Sequence, residues 1–246
     1  MWKLYTAAVV TLLAAGSAWA EPLAEVREML GKLQGSDAIS ASLEVENKVA
    51  LDAYGKARTG TAQLNLQAGA QGLQMNFSTD LMQRAEREAQ ARTANPDLAA
   101  PTAEALRHAT PNDISRLIGY APVLLRTLEG ATFKEQHGDT IDGKPAQLFV
   151  FDVPGHLSSK EKEDINHAEG LLKLWLGADG LPLASEESYK YTGRKFLIGF
   201  SGTEAINARY AVVGTRLVAK SRSDRSTFIG FGQDSDTTLS TMLSLR

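Results

Sequence analysis

The four histidines are the first residues of the chain whose types and spacing could do chemistry, as ligands of a metal ion. They are His108, His137, His156 and His167, and none has the His-Glu-x-x-His spacing of a helical zinc site. His156 and His167 flank the acidic segment 161–164, for which solvated polar residues of a loop are the simpler interpretation. The sequence therefore predicts no metal site.

Motifs for nucleophilic catalysis and phosphate binding are also missing from the sequence. There is no Gly-x-Ser-x-Gly elbow, and the Gly-Phe-Gly segment 230–232 lacks the lysine that follows in a phosphate loop. The chain has no Cys, which excludes a thiol nucleophile, thiolate zinc sites and stabilising disulfides. We therefore predict a protein that is not an enzyme and that needs no cofactor.

Two pairs of neighbouring carboxylates in the sequence are candidates for acid–base catalysis. Glu186 and Glu187 are adjacent in a predicted strand, where successive side chains point to opposite faces, so they cannot share a proton or a substrate. Glu44 and Glu46 share a face, but it is the polar face of their strand, which indicates a solvated surface. Neither pair predicts catalysis.

Residues 1–20 have the three regions of a cleaved secretory signal peptide. Lys3 supplies the positive start, residues 4–13 form a mostly apolar run, and Ala-Trp-Ala at 18–20 puts small residues at −3 and −1. The apolar run is shorter than the roughly 20 residues that cross a bilayer, and no Cys follows for lipid attachment. We therefore expect cleavage after Ala20 and a soluble, periplasmic protein that does not span the membrane.

The net charge of the chain indicates which class of partner is not expected. The chain has 26 basic and 29 acidic residues, and removing the leader takes away one basic residue, so 25 minus 29 leaves a net charge of −4. Proteins that bind nucleic acids usually present a basic face. We therefore expect no nucleic-acid partner for this acidic chain.

Apolar spacing predicts a short N-terminal helix followed by a meander of three strands. Apolar residues in 22–33 recur every three to four positions, which is typical of a helix. Apolar and polar residues alternate in 41–51, 62–68 and 73–77, with short connections between the segments. The three strands are therefore expected to be antiparallel.

The middle of the chain is predicted to be helical and the second half to return to strands. Thr79 is a candidate cap for a helix over 81–92, and Thr110-Pro111 begins an amphipathic helix over 113–128 that Pro122 should kink or split. About nine to eleven strands in all predict an α+β fold with one large curved antiparallel sheet packed on helices. Residues 21–246 would form one domain with a helical insert around 79–129.

Three features of the sequence resemble the half-barrel carriers of the bacterial envelope. They are the helix 24–33 followed by the strand 39–51, the Asp-Gly-Lys-Pro-Ala segment 142–146 before the Phe149–Phe151 strand, and the segment Leu-Trp-Leu-Gly-Ala-Asp-Gly-Leu-Pro-Leu at 174–183. That group includes the lipoprotein-localisation carriers of the LolA and LolB type and the sensor domain of RseB. The resemblance implies a curved sheet wrapped around helices, with an apolar concave face that holds acyl chains.

The resemblance, together with the lack of catalytic and metal-binding motifs in the sequence, predicts a non-enzymatic carrier or sensor of lipid-like or acylated apolar ligands. Helices 81–92 and 113–128 would form a lid hinged at Pro122 and Gly130. Alternating strands require that their apolar face be covered, but protein and ligand are both able to cover it. An envelope protein–protein interaction module with a closed core and no ligand is therefore the alternative. The predicted ligand-binding wall consists of Leu43, Val45, Leu64, Leu66, Met75, Phe77, Leu172, Leu174 and Phe196.

Overall fold

One open antiparallel sheet of ten strands dominates the computed structural model, which describes residues 21–51, 57–155 and 164–246. The spatial order is β3-β2-β1-β10-β9-β8-β7-β6-β5-β4, so consecutive strands are neighbours except β3 and β4, which form the two edges of the sheet, and the last strand pairs with the first. The predicted α+β class with one large antiparallel sheet is confirmed. The strands are β1 (Ile39–Leu51), β2 (Arg58–Gly69), β3 (Gly72–Asn76), β4 (Thr132–Ile141), β5 (Lys144–Val153), β6 (Ile165–Leu176), β7 (Pro182–Lys195), β8 (Ile198–Val213), β9 (Arg216–Gly230) and β10 (Gln233–Leu245).

Five helices accompany the sheet in the described ranges, one before β1 and four between β3 and β4. None of these helices is long and apolar enough to cross a bilayer. The four consecutive helices occupy the segment that the sequence predicted as a helical insert. The helices are α1 (Glu21–Gly31), α2 (Thr79–Ala94), α3 (Pro101–Leu106), α4 (Pro111–Ile118) and α5 (Ala121–Thr127).

Local sequence signals explain where most of these helices begin. The Thr110 hydroxyl accepts a hydrogen bond from the Asp113 backbone N–H (3.2 Å), so Thr110 caps α4 as predicted. Pro122 lies in the first turn of α5, and the predicted helix 113–128 is split into α4 and α5. The cap of α2 is Ser78 rather than Thr79, because the Ser78 hydroxyl accepts from the Leu81 N–H.

The main core lies between α1, α4, α5 and one face of the sheet, which we call the inner face. Its fully buried side chains include Leu30, Leu43, Leu124 and Phe151. The opposite, outer face is also partly covered, because Leu148, Val150, Trp175 and Ala184 form a second cluster there. The apolar run 148–151 is therefore buried on both faces, as its continuity predicted. Helices α2 and α3 pack beside the main core, where α3 contacts β2 and β1.

Two boundaries differ from the sequence-based prediction. Strand β3 ends at Asn76, so Phe77 lies outside the strand that was predicted to contain it. Strand β8 begins at Ile198, so Phe196 lies in the β7–β8 turn rather than at the start of a strand. Both apolar residues follow the predicted alternation but lie outside the ladders of backbone hydrogen bonds. Phe77 directly precedes Ser78, the cap of α2, and Phe196 is one of the two turn residues between Lys195 and Ile198.

Candidate ligand groove

The predicted ligand-binding wall lies mostly inside the main core. Leu43, Val45, Leu64, Leu66, Leu172 and Leu174 are at most 2% exposed, and Met75 packs partly buried against the same cluster. Phe77 is 37% exposed and Phe196 is 87% exposed, and both lie apart from the other seven. Over this part of the inner face the helices therefore cover the strands. None of the nine residues lines either of the two inner-face cavities described below.

The inner face continues along β7, β8 and β9 beyond the part that α4 and α5 cover. The strand register aligns residues of these three strands in four successive rows. Because a strand rises about 3.3 Å per residue, the first and last rows are on the order of 20 Å apart. From the helices outward, the rows are Glu187-Ile206-Asp224, Tyr189-Glu204-Ser226, Tyr191-Gly202-Phe228 and Gly193-Phe200-Gly230.

A cavity of about 530 Å³ runs along these rows, and we call it the groove. Strands β6 to β9, Gly155 and Asp164 line it, and among the described residues no part of α1 to α5 does. Two glycines make room for its aromatic rings. The ring of Tyr191 occupies the space that a Cβ of Gly202 would fill, and the ring of Tyr189 does the same at Gly170. The apolar lining consists of Ile165, Tyr189, Tyr191, Phe200, Ile206 and Phe228.

A second cavity of about 710 Å³ lies between α4, α5 and the sheet. Tyr120, Thr127 and Arg222 line it. Glu187 and Ile206 line both this cavity and the groove. Glu187 therefore stands at the junction between the covered and the uncovered parts of the inner face.

Glu187 belongs to a cluster of buried polar side chains. It is only 4% exposed, and its carboxylate accepts hydrogen bonds from the Tyr189 hydroxyl (2.9 Å) and the Thr127 hydroxyl (3.3 Å). Next to it in the sheet, the hydroxyls of Ser185 and Tyr210 are 2.6 Å apart. Burying a carboxylate is costly unless hydrogen bonds replace those it makes with water. The Tyr189 and Thr127 hydroxyls supply such bonds to Glu187.

An ion pair completes the cluster. The Arg222 guanidinium lies 2.8 Å from the Asp224 carboxylate. Burial raises the pKa of Asp224 to about 6, although Arg222 acts in the opposite direction. Burial also raises the pKa of the Tyr120, Tyr189 and Tyr210 hydroxyls, which therefore stay neutral at physiological pH. The cluster thus offers neutral hydroxyls and carboxylate oxygens to the two cavities.

This arrangement is suited to binding an amphiphilic molecule. Tyr191, Phe200 and Phe228 line one end of the groove, where the Asp164 carboxylate is paired with Lys195, and Glu187 and Glu204 line the other end. An apolar tail and a polar head therefore have separate places. Glu169 and Lys190 line the groove as well. In the described ranges no three His, Asp or Glu side chains are grouped as metal ligands. His156 and residues 161–163 of the considered metal site lie outside those ranges.

Sequence reasoning missed this site because it set Glu187 aside together with Glu186. Their opposite orientation is confirmed, since Glu186 is on the outer face, 3.7 Å from Lys173, while Glu187 is buried. The available signal was the position of Glu187 in the alternation, in phase with Tyr189 and Tyr191. A carboxylate among the inward-facing residues of a strand indicates a buried polar site.

The comparisons with known proteins add no relative. The chain matches no protein-family model, no curated protein and no solved structure.

Proposed function

We propose that this protein is a non-enzymatic periplasmic carrier or sensor of lipid-like molecules, which it binds in the groove. The observation that carries the proposal is the groove itself, a 530 Å³ cavity that the helices leave uncovered. Its aromatic rows end at a buried carboxylate. In a closed core, inward-facing aromatic side chains pack against other protein atoms, whereas here they line an open cavity, as in a ligand site.

The lining favours a particular class of ligand. Tyr191, Phe200 and Phe228 provide flat apolar surfaces for a tail. At the other end, the ligand meets the acceptor oxygens of Glu187 and Glu204, while the nearby Arg222 is already paired with Asp224. The groove is thus suited to an acyl chain whose head donates hydrogen bonds, such as an amide or ammonium group.

The proposed periplasmic location and the resemblance to half-barrel envelope carriers are both inferred from the sequence. The leader-like residues 1–20 support export, and they lie outside the described ranges. An open antiparallel sheet with helices against its inner face is the layout that the resemblance to half-barrel envelope carriers implies. N-terminal sequencing of the exported protein tests the location, since it should start at Glu21, and an intact leader in the membrane fraction would reject it.

Binding of the neutral apolar dye N-phenyl-1-naphthylamine tests the groove. The dye should bind and brighten, and dodecylamine should displace it at lower concentration than dodecanoate, because the groove presents carboxylates to the head. Tyr191→Ser should weaken dye binding by about tenfold. Met242→Ser is the matched control, because Met242 is 58% exposed on the outer face and should bind the dye like the unaltered protein.

The alternative is an envelope interaction module with a closed core and no ligand. The burial of six predicted wall residues in the main core favours it. Native mass spectrometry of the exported protein separates the two functions. Co-purified lipid that is lost in Tyr191→Ser supports the carrier or sensor. Bare protein together with no dye binding would leave the interaction module.

A further inference from the structure

The β7–β8 turn exposes two large apolar side chains almost completely. Phe196 is 87% exposed and Leu197 is 89% exposed, the highest values among the large apolar side chains of the described ranges. Three further apolar residues are each more than 40% exposed: Ile198 at the start of β8, Ile229 near the end of β9, and Phe231 in the β9–β10 turn. The register of β8 with β9 puts both turns at the same end of the sheet. We call these five residues the hydrophobic tip.

The backbone of this turn is unfavourable for the residues that occupy it. Lys195 pairs with Ile198, and the two residues between them have φ of +49° and +71°, the pattern of a type I′ turn. Such turns favour Asn-Gly or Asp-Gly, because bulky side chains are strained at positive φ. Phe196 and Leu197 therefore strain the backbone of the turn, and they do not compensate by packing in the core. Strain that is retained at an exposed position points to a function.

Aromatic rings connect the tip to the sheet, because Phe231 of the tip stacks on Phe200 and Phe228. The ring centroid of Phe200 is 6.0 Å from that of Phe228 and 5.8 Å from that of Phe231, and all three rings are stacked. Tyr191 meets Phe200 edge-on at 6.5 Å. The sheet thus presents the apolar turn on a packed base instead of on a long loop.

Charged side chains of both signs surround the tip, and among the described residues they include an unpaired cation. Segment 190–203 contains Lys190, Arg194 and Lys195 and no acidic residue, and segment 226–233 has no charged residue. One of these cations is paired, since Lys195 lies 2.8 Å from Asp164. The chain as a whole has a net charge of −3. Asp234 lies opposite Ile229 in the register of β9 with β10 and adds one acidic side chain near the tip. Arg194 is exposed, and no ion pair between described residues includes it, so an anionic surface can attract the tip through this side chain.

We propose that the hydrophobic tip docks the protein on an anionic lipid bilayer. Phe196 and Leu197 would enter the boundary between headgroups and acyl chains, with Arg194 at the lipid phosphates. A bilayer fits this surface better than a protein does, because the tip is a protruding turn, which fluid lipid accepts without a preformed pocket. The inference does not depend on a ligand in the groove, although Phe200 and Phe228 beneath the tip line the groove as well.

Partitioning of the exported protein onto vesicles tests the proposal. It should bind vesicles of phosphatidylglycerol and phosphatidylethanolamine and bind pure phosphatidylcholine less, and salt should weaken the binding. The double variant Phe196→Asn/Leu197→Gly should lower the partition coefficient by about tenfold. It should also raise the Tm, because Asn-Gly is the preferred type I′ pair, so lost binding cannot be attributed to unfolding. Met82→Ser, on exposed α2, should change neither quantity.

Either of two results would overturn the proposal: no binding of the unaltered protein to anionic vesicles, or equal binding by the Asn-Gly variant. A local measurement makes the test independent of the rest of the chain. In the variant Leu197→Trp, the added emission should shift to the blue on anionic vesicles and be quenched by brominated lipid, whereas the unaltered protein, whose Trp175 is buried, should show neither change. An unshifted, unquenched Trp would show a tip that stays in water. The Asn-Gly variant should still bind N-phenyl-1-naphthylamine, which separates failure of the tip from failure of the groove.

Discussion

The covered and the uncovered parts of the inner face are built from the same alternating strands, yet they have opposite properties. Under the helices, inward-facing residues such as Leu43 and Leu174 are apolar and buried among other apolar side chains. Along β7, β8 and β9 the inward-facing residues become Glu187, Tyr191 and Phe228 and face a cavity. The comparison teaches that alternation decides which residues face inward, while helix coverage decides whether they meet protein or a cavity.

Strand length produces this difference. Strands β7, β8 and β9 contain 14, 16 and 15 residues, whereas β4 and β5 contain 10 each. The short helices α4 and α5, with 8 and 7 residues, contact β9 but do not line the groove. Stability is therefore expected to depend on the covered part, and ligand binding on the uncovered part.

The largest expected effect is the loss of folding when a charge is placed in the covered part. Leu124 in α5 is fully buried in the main core. Leu124→Asp should destabilise the protein by more than about 4 kcal/mol, because it buries an unpaired carboxylate. Chemical denaturation measures the change, and Met82→Asp on the exposed side of α2 is the control. Equal unfolding midpoints for the two variants would show that α5 does not seal the core.

Truncating one phenylalanine in each part sharpens the comparison. Phe151 is fully buried under the helices, and Phe151→Ala should cost about 3–5 kcal/mol in the free energy of unfolding. Phe228 is only partly buried, so Phe228→Ala should cost about 1 kcal/mol. Dye binding should show the reverse order, with the larger loss in Phe228→Ala. If both variants lost stability equally, the uncovered part would be core and not a groove.

Much of this comparison was accessible from the sequence. The alternation of β1 and β2, the turn at Asp142-Gly143 and the split at Pro122 follow from local rules, and the structure bears them out. The location of the cavity does not follow, because residues such as Leu43 and Phe228 are equally suitable for a core and for a ligand. Helix coverage decides between them, and it depends on contacts between elements that are distant in the sequence, such as α1 with α5 and α4 with β9.

A smaller effect concerns pH and the polar cluster between the two parts. Burial raises the pKa of Asp224 from 3.8 to about 6, so the folded protein holds this proton more tightly than the unfolded chain does. The stability that Asp224 affects should therefore fall as the pH rises from about 4 to 6, by at most about 1.4 kcal/mol per pKa unit. The neighbouring charges are Arg222, Glu187 and Glu204.

Asp224→Asn isolates this contribution, because asparagine keeps the volume and does not titrate. The difference in the free energy of unfolding between the unaltered protein and the variant should depend on pH within that window and be constant above it. Urea denaturation at several pH values between 4 and 8 measures it. A difference that is flat across the window would mean that the pKa of Asp224 is not raised in the folded protein.

The smallest expected effect compares two of the type I′ turns, one between the uncovered strands β7 and β8 and one between the covered strands β4 and β5. Asp142-Gly143 in the β4–β5 turn has φ of +51° and +75°, nearly the same backbone as Phe196-Leu197. Phe196→Asn/Leu197→Gly should therefore stabilise the protein by about 1 kcal/mol, since relief of strain exceeds the greater freedom of glycine in the unfolded chain. Gly143→Leu, the reciprocal change, should destabilise it by a similar amount, because leucine is strained at positive φ. Thermal unfolding of both variants measures the pair. If the Asn-Gly variant were less stable than the unaltered protein, Phe196 and Leu197 would contribute to folding, and the strain of their turn would not require a function at the membrane to explain it.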